Sequence, residues 1–153
     1  MASEESIVVD VPIRTAYNQW TQFEDFPRFM SGVEKITQID DVRNHWVTNI
    51  GGVRREFDTR ITEQIPDERV AWTTESGSPK QSGVVTFHRL EENRTKVMVQ
   101  LDINSDNIVE KVGEKLGVVD KQVQADLAKY KEWIESRGTE TGGWRGGVDR
   151  PTP

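Results

Sequence analysis

The chain of 153 residues has no cysteine. That excludes a disulfide framework, a thiolate metal site and a thiol nucleophile, and it suits a reducing cytoplasm. Histidine is almost as scarce, with only His45 and His88. Their separation matches neither His-x-His nor His-Glu-x-x-His, so no metal site is predicted. No Gly-x-Ser-x-Gly elbow accompanies them, which argues against a serine hydrolase. Basic residues are outnumbered, 20 Lys and Arg against 26 Asp and Glu, for a net charge of -6. Phosphate neutralisation needs a basic surface, so nucleic acid is not an expected partner. Nowhere does the chain approach the roughly 20 consecutive apolar residues that span a bilayer. Met1 to Ser6 lacks the basic start and apolar run of a signal peptide. The expectation is a cytoplasmic protein with no integral membrane contact.

What the chain does contain is periodicity. Ile7, Val9 and Val11 alternate with Val8 and Asp10 until Pro12, which lacks an N–H and suits the first turn of a helix. Ile13, Ala16, Tyr17 and Trp20 then fall at i, i+3, i+4 and i+7, an apolar stripe of helical period. Phe23, Phe26, Phe29 and Met30 keep the same spacing around Pro27, which is expected to begin a second short helix. From Val33 to Leu101 the period becomes two, interrupted at Gly51-Gly52, Pro66-Asp67-Glu68, Gly77-Ser78-Pro79 and Glu92-Asn93. This predicts a meander of about six strands with one apolar face carrying Trp46, Phe57, Ile61, Ile65, Trp72, Phe87, Val99 and Leu101.

One element has to cover that face. Asn107 with Glu110 three residues later reads as a helix start, and Ile108, Val112, Leu116, Val119, Val123, Leu127, Tyr130 and Ile134 recur every three or four residues. Lys121, Asp126, Lys129, Lys131, Glu132 and Glu135 are assigned to the opposite, solvated face of this long helix. Gly138 ends it. The sequence thus predicts an N-terminal tail over 1–5, one domain over 6–137, and a disordered Gly/Pro-rich tail over 138–153, where Trp144 has no apolar company. The fold class is α+β: a curved antiparallel sheet of about seven strands wrapped around a long C-terminal helix, with two short helices after the first strand.

Several strings carry a resemblance: Val11-Pro12-Ile13-Arg14-Thr15-Ala16-Tyr17 with Trp20, Phe26-Pro27-Arg28-Phe29-Met30, Ile65-Pro66-Asp67-Glu68-Arg69-Val70-Ala71-Trp72, and Gly83-Val84-Val85-Thr86-Phe87. With the order of elements, they resemble the START-like (helix-grip) superfamily, in its polyketide cyclase/dehydrase (SRPBCC) branch, and are similar to coenzyme Q-binding START-domain proteins. The resemblance spans Ser6 to Arg137 and implies a cavity more than a reaction, because proteins of this fold include lipid carriers, hormone receptors and aromatase/cyclases.

The expected function is therefore to hold a small hydrophobic or polyaromatic molecule (lipid, quinone or polyketide-like) between sheet and helix. Its candidate contacts are Phe26, Phe29, Met30, Trp46, Thr48, Phe57, Thr59, Trp72, Thr74, Phe87, Leu101, Leu116, Val119 and Val123. No catalytic residue, metal or cofactor is assigned. A polyketide aromatase/cyclase using the same cavity is the alternative, and it would need an acid or base inside, where the inward positions offer only threonines. A non-catalytic stress or interaction scaffold is the third reading. Glu56, Asp58 and Glu63 alternate with Phe57, Thr59 and Ile61 and are expected to face outward, paired with Arg54, Arg55 or Arg60, and both histidines are expected on the surface.

Overall fold

The computed structural model describes residues 2–50, 52–77, 80–104 and 112–143, with side chains in the last helix described from 121 onward. The chain runs β1 (Ala2–Val9), α1 (Ile13–Trp20), a short 3-10 helix (Phe23–Arg28), β2 (Val33–Gln38), β3 (Arg43–Ile50), β4 (Val53–Ile65), β5 (Arg69–Gly77), β6 (Lys80–Glu91), β7 (Arg94–Asn104) and α2 (Val112–Arg137). All seven strands form one antiparallel sheet in the order β1-β7-β6-β5-β4-β3-β2. β2 to β7 are a plain meander, and β1 closes it beside the last strand. The sheet curls around α2, which lies along β1. There the Lys131 ammonium donates to the Val8 carbonyl at 2.9 Å, and the Asp10 N–H donates to Glu135 at 2.7 Å.

The apolar stripe of α1 is buried as its spacing predicts at Ala16, Tyr17 and Trp20, with Ile13 packed against the core. Val123, Leu127, Tyr130 and Ile134 do the same on α2. Gly138 ends that helix in the left-handed region, φ 72°, with its N–H bonded to the Ile134 carbonyl at 2.9 Å. Glycine adopts this conformation without the steric cost a Cβ would add.

Four local expectations are corrected. Residues 2–5 are no tail but the first half of β1, in register from Ala2 opposite Asp102 to Val9 opposite Thr95, because β7 would otherwise present an unpaired ladder. Pro27 does not open the second short helix. It sits inside the stretch Phe23–Arg28, whose Phe23 and Phe26 are both buried. In β4 the ladder slips between Ile61 and Glu63, so that Gln64 pairs with Val70 and is buried while Ile65 is not. An extra residue on one strand reverses the facing of every residue beyond it.

The fourth correction concerns the end of the chain. Residues 138–143 return across α1, where the Thr141 N–H donates to Gln19 Oε1 at 2.9 Å and Gln19 Nε2 donates to Thr141 Oγ1 at 3.1 Å. Asn18 Nδ2 adds a bond to Glu140 at 2.8 Å. These partners explain why Asn18 and Gln19, two polar residues of a surface helix, are buried at all. Trp144 and the rest of the predicted tail lie outside the described residues, as do Ile108 and the helix start expected at Asn107 and Glu110.

Candidate ligand site

The space between sheet and α2 divides into a filled end and a hollow one. At the filled end Trp20 meets Phe26 at 5.2 Å, Phe29 at 5.4 Å and Tyr130 at 5.2 Å between ring centroids, and Phe29 meets Tyr130 at 5.2 Å. Such tilted and edge-on aromatic pairs add about 0.5–1.5 kcal/mol each beyond burial. Burial also raises the Tyr130 hydroxyl far above the ordinary phenol range, so it stays a neutral donor to the Ala16 carbonyl at 3.2 Å.

Beside this cluster lies a cavity of about 120 Å³, bounded by Trp20, Met30, Gly32, Val33, Trp46, Thr48, Trp72, Gln81, Val99, Leu101, Gln122, Val123, Asp126 and Leu127. An engineered apolar cavity of roughly 150 Å³ admits benzene, so the space is on the scale of one aromatic ring. Two indoles make its back wall: Trp46 and Trp72 are 6.1 Å apart and inclined by 28°. Gly83 is required behind them, since a Cβ there would come within 2.5 Å of the Trp72 ring. Trp72 Nε1 is buried with no hydrogen-bond partner among the described residues, a condition that costs about 1–3 kcal/mol unless something accepts from it.

The sequence-derived contacts divide accordingly. Met30, Trp46, Thr48, Trp72, Leu101 and Val123 border the cavity. Phe26 and Phe29 do not, because they pack on Trp20. Phe57 stacks behind Trp46 at 5.7 Å, and Thr59 accepts from Trp46 Nε1 at 2.7 Å, so both orient the indole from outside the void. The Thr74 hydroxyl is bound to the backbone of Gln81, and Phe87 packs edge-on against Tyr17 at 5.4 Å. The side chains of Leu116 and Val119 lie outside the described residues.

The residue that sequence reasoning misplaced is Asp126. Assigned to the solvated face of α2, it instead borders the cavity, next to Leu127 and three residues after Val123. Its Oδ1 accepts from the Ser31 N–H at 3.2 Å, the Ser31 hydroxyl at 3.3 Å and Gln122 Nε2 at 2.9 Å, tying α2 to the segment before β2. Desolvation by burial raises its pKa above the usual carboxylate value against the pull of those donors. Among the described residues it is the only titratable group on the cavity wall. The signal was faint, a carboxylate immediately before a stripe leucine.

On the outer face, His45 Nδ1 lies 2.6 Å from Asp58 and Nε2 lies 3.0 Å from Glu56, so these acids face outward as predicted but pair with histidine rather than arginine. Glu63 does pair with an arginine, Arg69, at 3.2 Å. The hydrogen bond to Asp58, then that to Glu56, raises the His45 pKa above its ordinary value. This cluster stands on the opposite side of β3 from Trp46, as strand alternation requires.

Residues 9–134 match the family described as polyketide cyclase / dehydrase and lipid transport. The chain belongs to that family. A protein of Streptomyces lincolnensis, described as an uncharacterized 17.2 kDa protein in the melC2-rnhH intergenic region, is 63% identical over 145 residues, covering 95% of this chain and 97% of its own. Among solved structures, the Zhui aromatase/cyclase from Streptomyces sp. R1128 superposes with a TM-score of 0.75 at 16% identity, covering 94% of this chain and 99% of that one. A START superfamily protein from Mycobacterium smegmatis gives 0.69 at 17% identity, covering 89% and 95%. The shared architecture is the helix-grip fold expected from the sequence. Among the described residues no helix is long and apolar enough to cross a membrane.

Proposed function

We propose that the protein binds a small, flat, apolar molecule in the cavity between sheet and α2, with one ring held against Trp46 and Trp72. The observation that carries this reading is the hollow itself: an almost wholly apolar space backed by two indoles, beside a region of the same groove that aromatic side chains fill. Dry apolar cavities of this size take up apolar guests because their walls lack contacts that a guest restores. A ligand of several rings would have to displace the segment Met30 to Val33 that borders the space.

Membership of a family that includes cyclases and dehydrases, and the aromatase/cyclase among the similar structures, support a second reading in which the cavity also closes rings on a polyketide-like chain. Among the described residues, Asp126 is the one group on the wall that could move a proton there. A single carboxylate with no second acid beside it among the described residues supports holding a ligand more than turning one over.

The test is a titration with toluene followed by tryptophan emission. Saturable one-to-one binding is expected in the wild type, weakened several-fold in Trp72→Phe, which removes ring area from the wall. Linear, unsaturable partitioning would dismiss the cavity as a binding site.

A further inference from the structure

The cavity wall carries charge at one place only among the described residues, Asp126. Each hydrogen bond that Asp126 accepts, from the Ser31 N–H, the Ser31 hydroxyl and Gln122 Nε2, ends on Oδ1. Oδ2 accepts none. A carboxylate in a half-buried, largely apolar setting gains most from donors that complete its lone pairs, and its other neighbours on the wall, Val123 and Leu127, have none to offer. The three donors on Oδ1 fix the carboxylate between α2 and the segment before β2. They thereby hold Oδ2 in place without occupying it.

Resting on the binding function proposed above, we infer that Asp126 is the polar anchor of the site and that it selects a hydroxylated aromatic: a ring lying on the indoles with one O–H donated to Oδ2. The hydroxyl is favoured over a cationic head because the rest of the wall among the described residues consists of apolar side chains with uncharged Thr48, Gln81 and Gln122, which give a second full charge no solvation. The same geometry accounts for a carboxylate on the inward flank of α2, where a leucine would fill the cavity and bury more apolar surface.

Three ligands of the same outline separate the anchor from the hollow: toluene, p-cresol and 4-methylanisole, titrated at pH 8, where a phenol of ordinary pKa near 10 keeps its proton. Wild-type protein is expected to bind p-cresol at least about tenfold more tightly than 4-methylanisole, the discrimination a hydrogen bond to a charged acceptor provides. In Asp126→Asn the amide oxygen can keep the bonds from Ser31 and Gln122 and turn its NH₂ to the Oδ2 position, so the preference should fall to within about threefold. Saturable toluene binding with p-cresol bound no more tightly than 4-methylanisole would overturn the anchor and leave the binding function standing. A p-cresol preference that survives Asp126→Asn would also overturn it. If none of the three binds, both readings fall together.

Discussion

The two ends of the groove under α2 are made of the same kinds of residue and behave differently. At one end Trp20, Phe26, Phe29 and Tyr130 meet ring to ring. At the other, Trp46, Trp72, Leu101 and Val123 stand around a space of about 120 Å³. What separates them is not hydrophobicity but what each ring finds opposite. The 3-10 helix packs Phe26 and Phe29 on Trp20 and sets Phe23 edge-on against Trp46 and Trp72, whereas on the cavity side the two indoles share the wall with Val123, Leu127 and Asp126, none of which carries a ring. Aromatic bulk on both sides gives core. Bulk on one side only gives a cavity.

The largest effect should come from emptying the full end. Phe29→Ala removes a ring in contact with Trp20, Tyr130 and Trp133, and truncations of this kind cost about 3–5 kcal/mol. Leu101→Ala, at the hollow end, should fall at or below the bottom of the roughly 2–5 kcal/mol range for leucine, since part of that side chain already faces a void. Urea unfolding of both variants measures the contrast. Equal losses would mean that the two ends are packed alike.

A smaller effect tests the return of the chain over α1. Gln19→Ala removes a fully buried amide and leaves the Thr141 N–H without its acceptor, at a cost of about 2–3 kcal/mol. In a chain lacking residues 139–153 the same substitution should cost under about 0.5 kcal/mol, as at any surface position. The difference between the two backgrounds is the coupling energy of the strap. An identical cost in both would detach the strap from the account.

The smallest effect belongs to the outer face, where the void plays no part. The folded-state pKa of His45 is raised by Asp58 and Glu56. Its contribution is thus fully present below the unfolded value of about 6.5 and is lost as pH rises through the higher folded value. The stability gap between wild type and His45→Gln should be largest on the acid side and close as pH rises through the raised folded value. Solvent screening at this half-exposed site keeps it small. A gap that widens as pH rises would mean that the pairs do not hold the charged imidazole.

The strands and α2 were legible because burial imposes a period, and a period survives in one sequence. Ile61, Trp72 and Val99 could be placed on one face by alternation alone. Gln64 could not, because a bulge leaves no mark beyond the interruption at Glu63. The docked segment after Gly138 escaped because Gly- and Thr-rich composition says how little a stretch can bury, not which polar groups elsewhere need it. The site was half legible for a related reason. Phe57 and Trp46 carry the same pattern, yet one is behind the wall and the other is the wall, and that depends on a neighbour across the groove. Asp126 carries no such mark, because a charge on an amphipathic helix has the same spacing whether it meets solvent or the flank of a cavity.

The claim on which the rest depends is that the groove is hollow at one end only, and xenon tests it without assuming any ligand chemistry. Diffraction from crystals pressurised with xenon should show one site among Trp46, Trp72, Leu101 and Val123 and nothing among Trp20, Phe29 and Tyr130. Xenon at the aromatic end, or none at the indole wall, would contradict it.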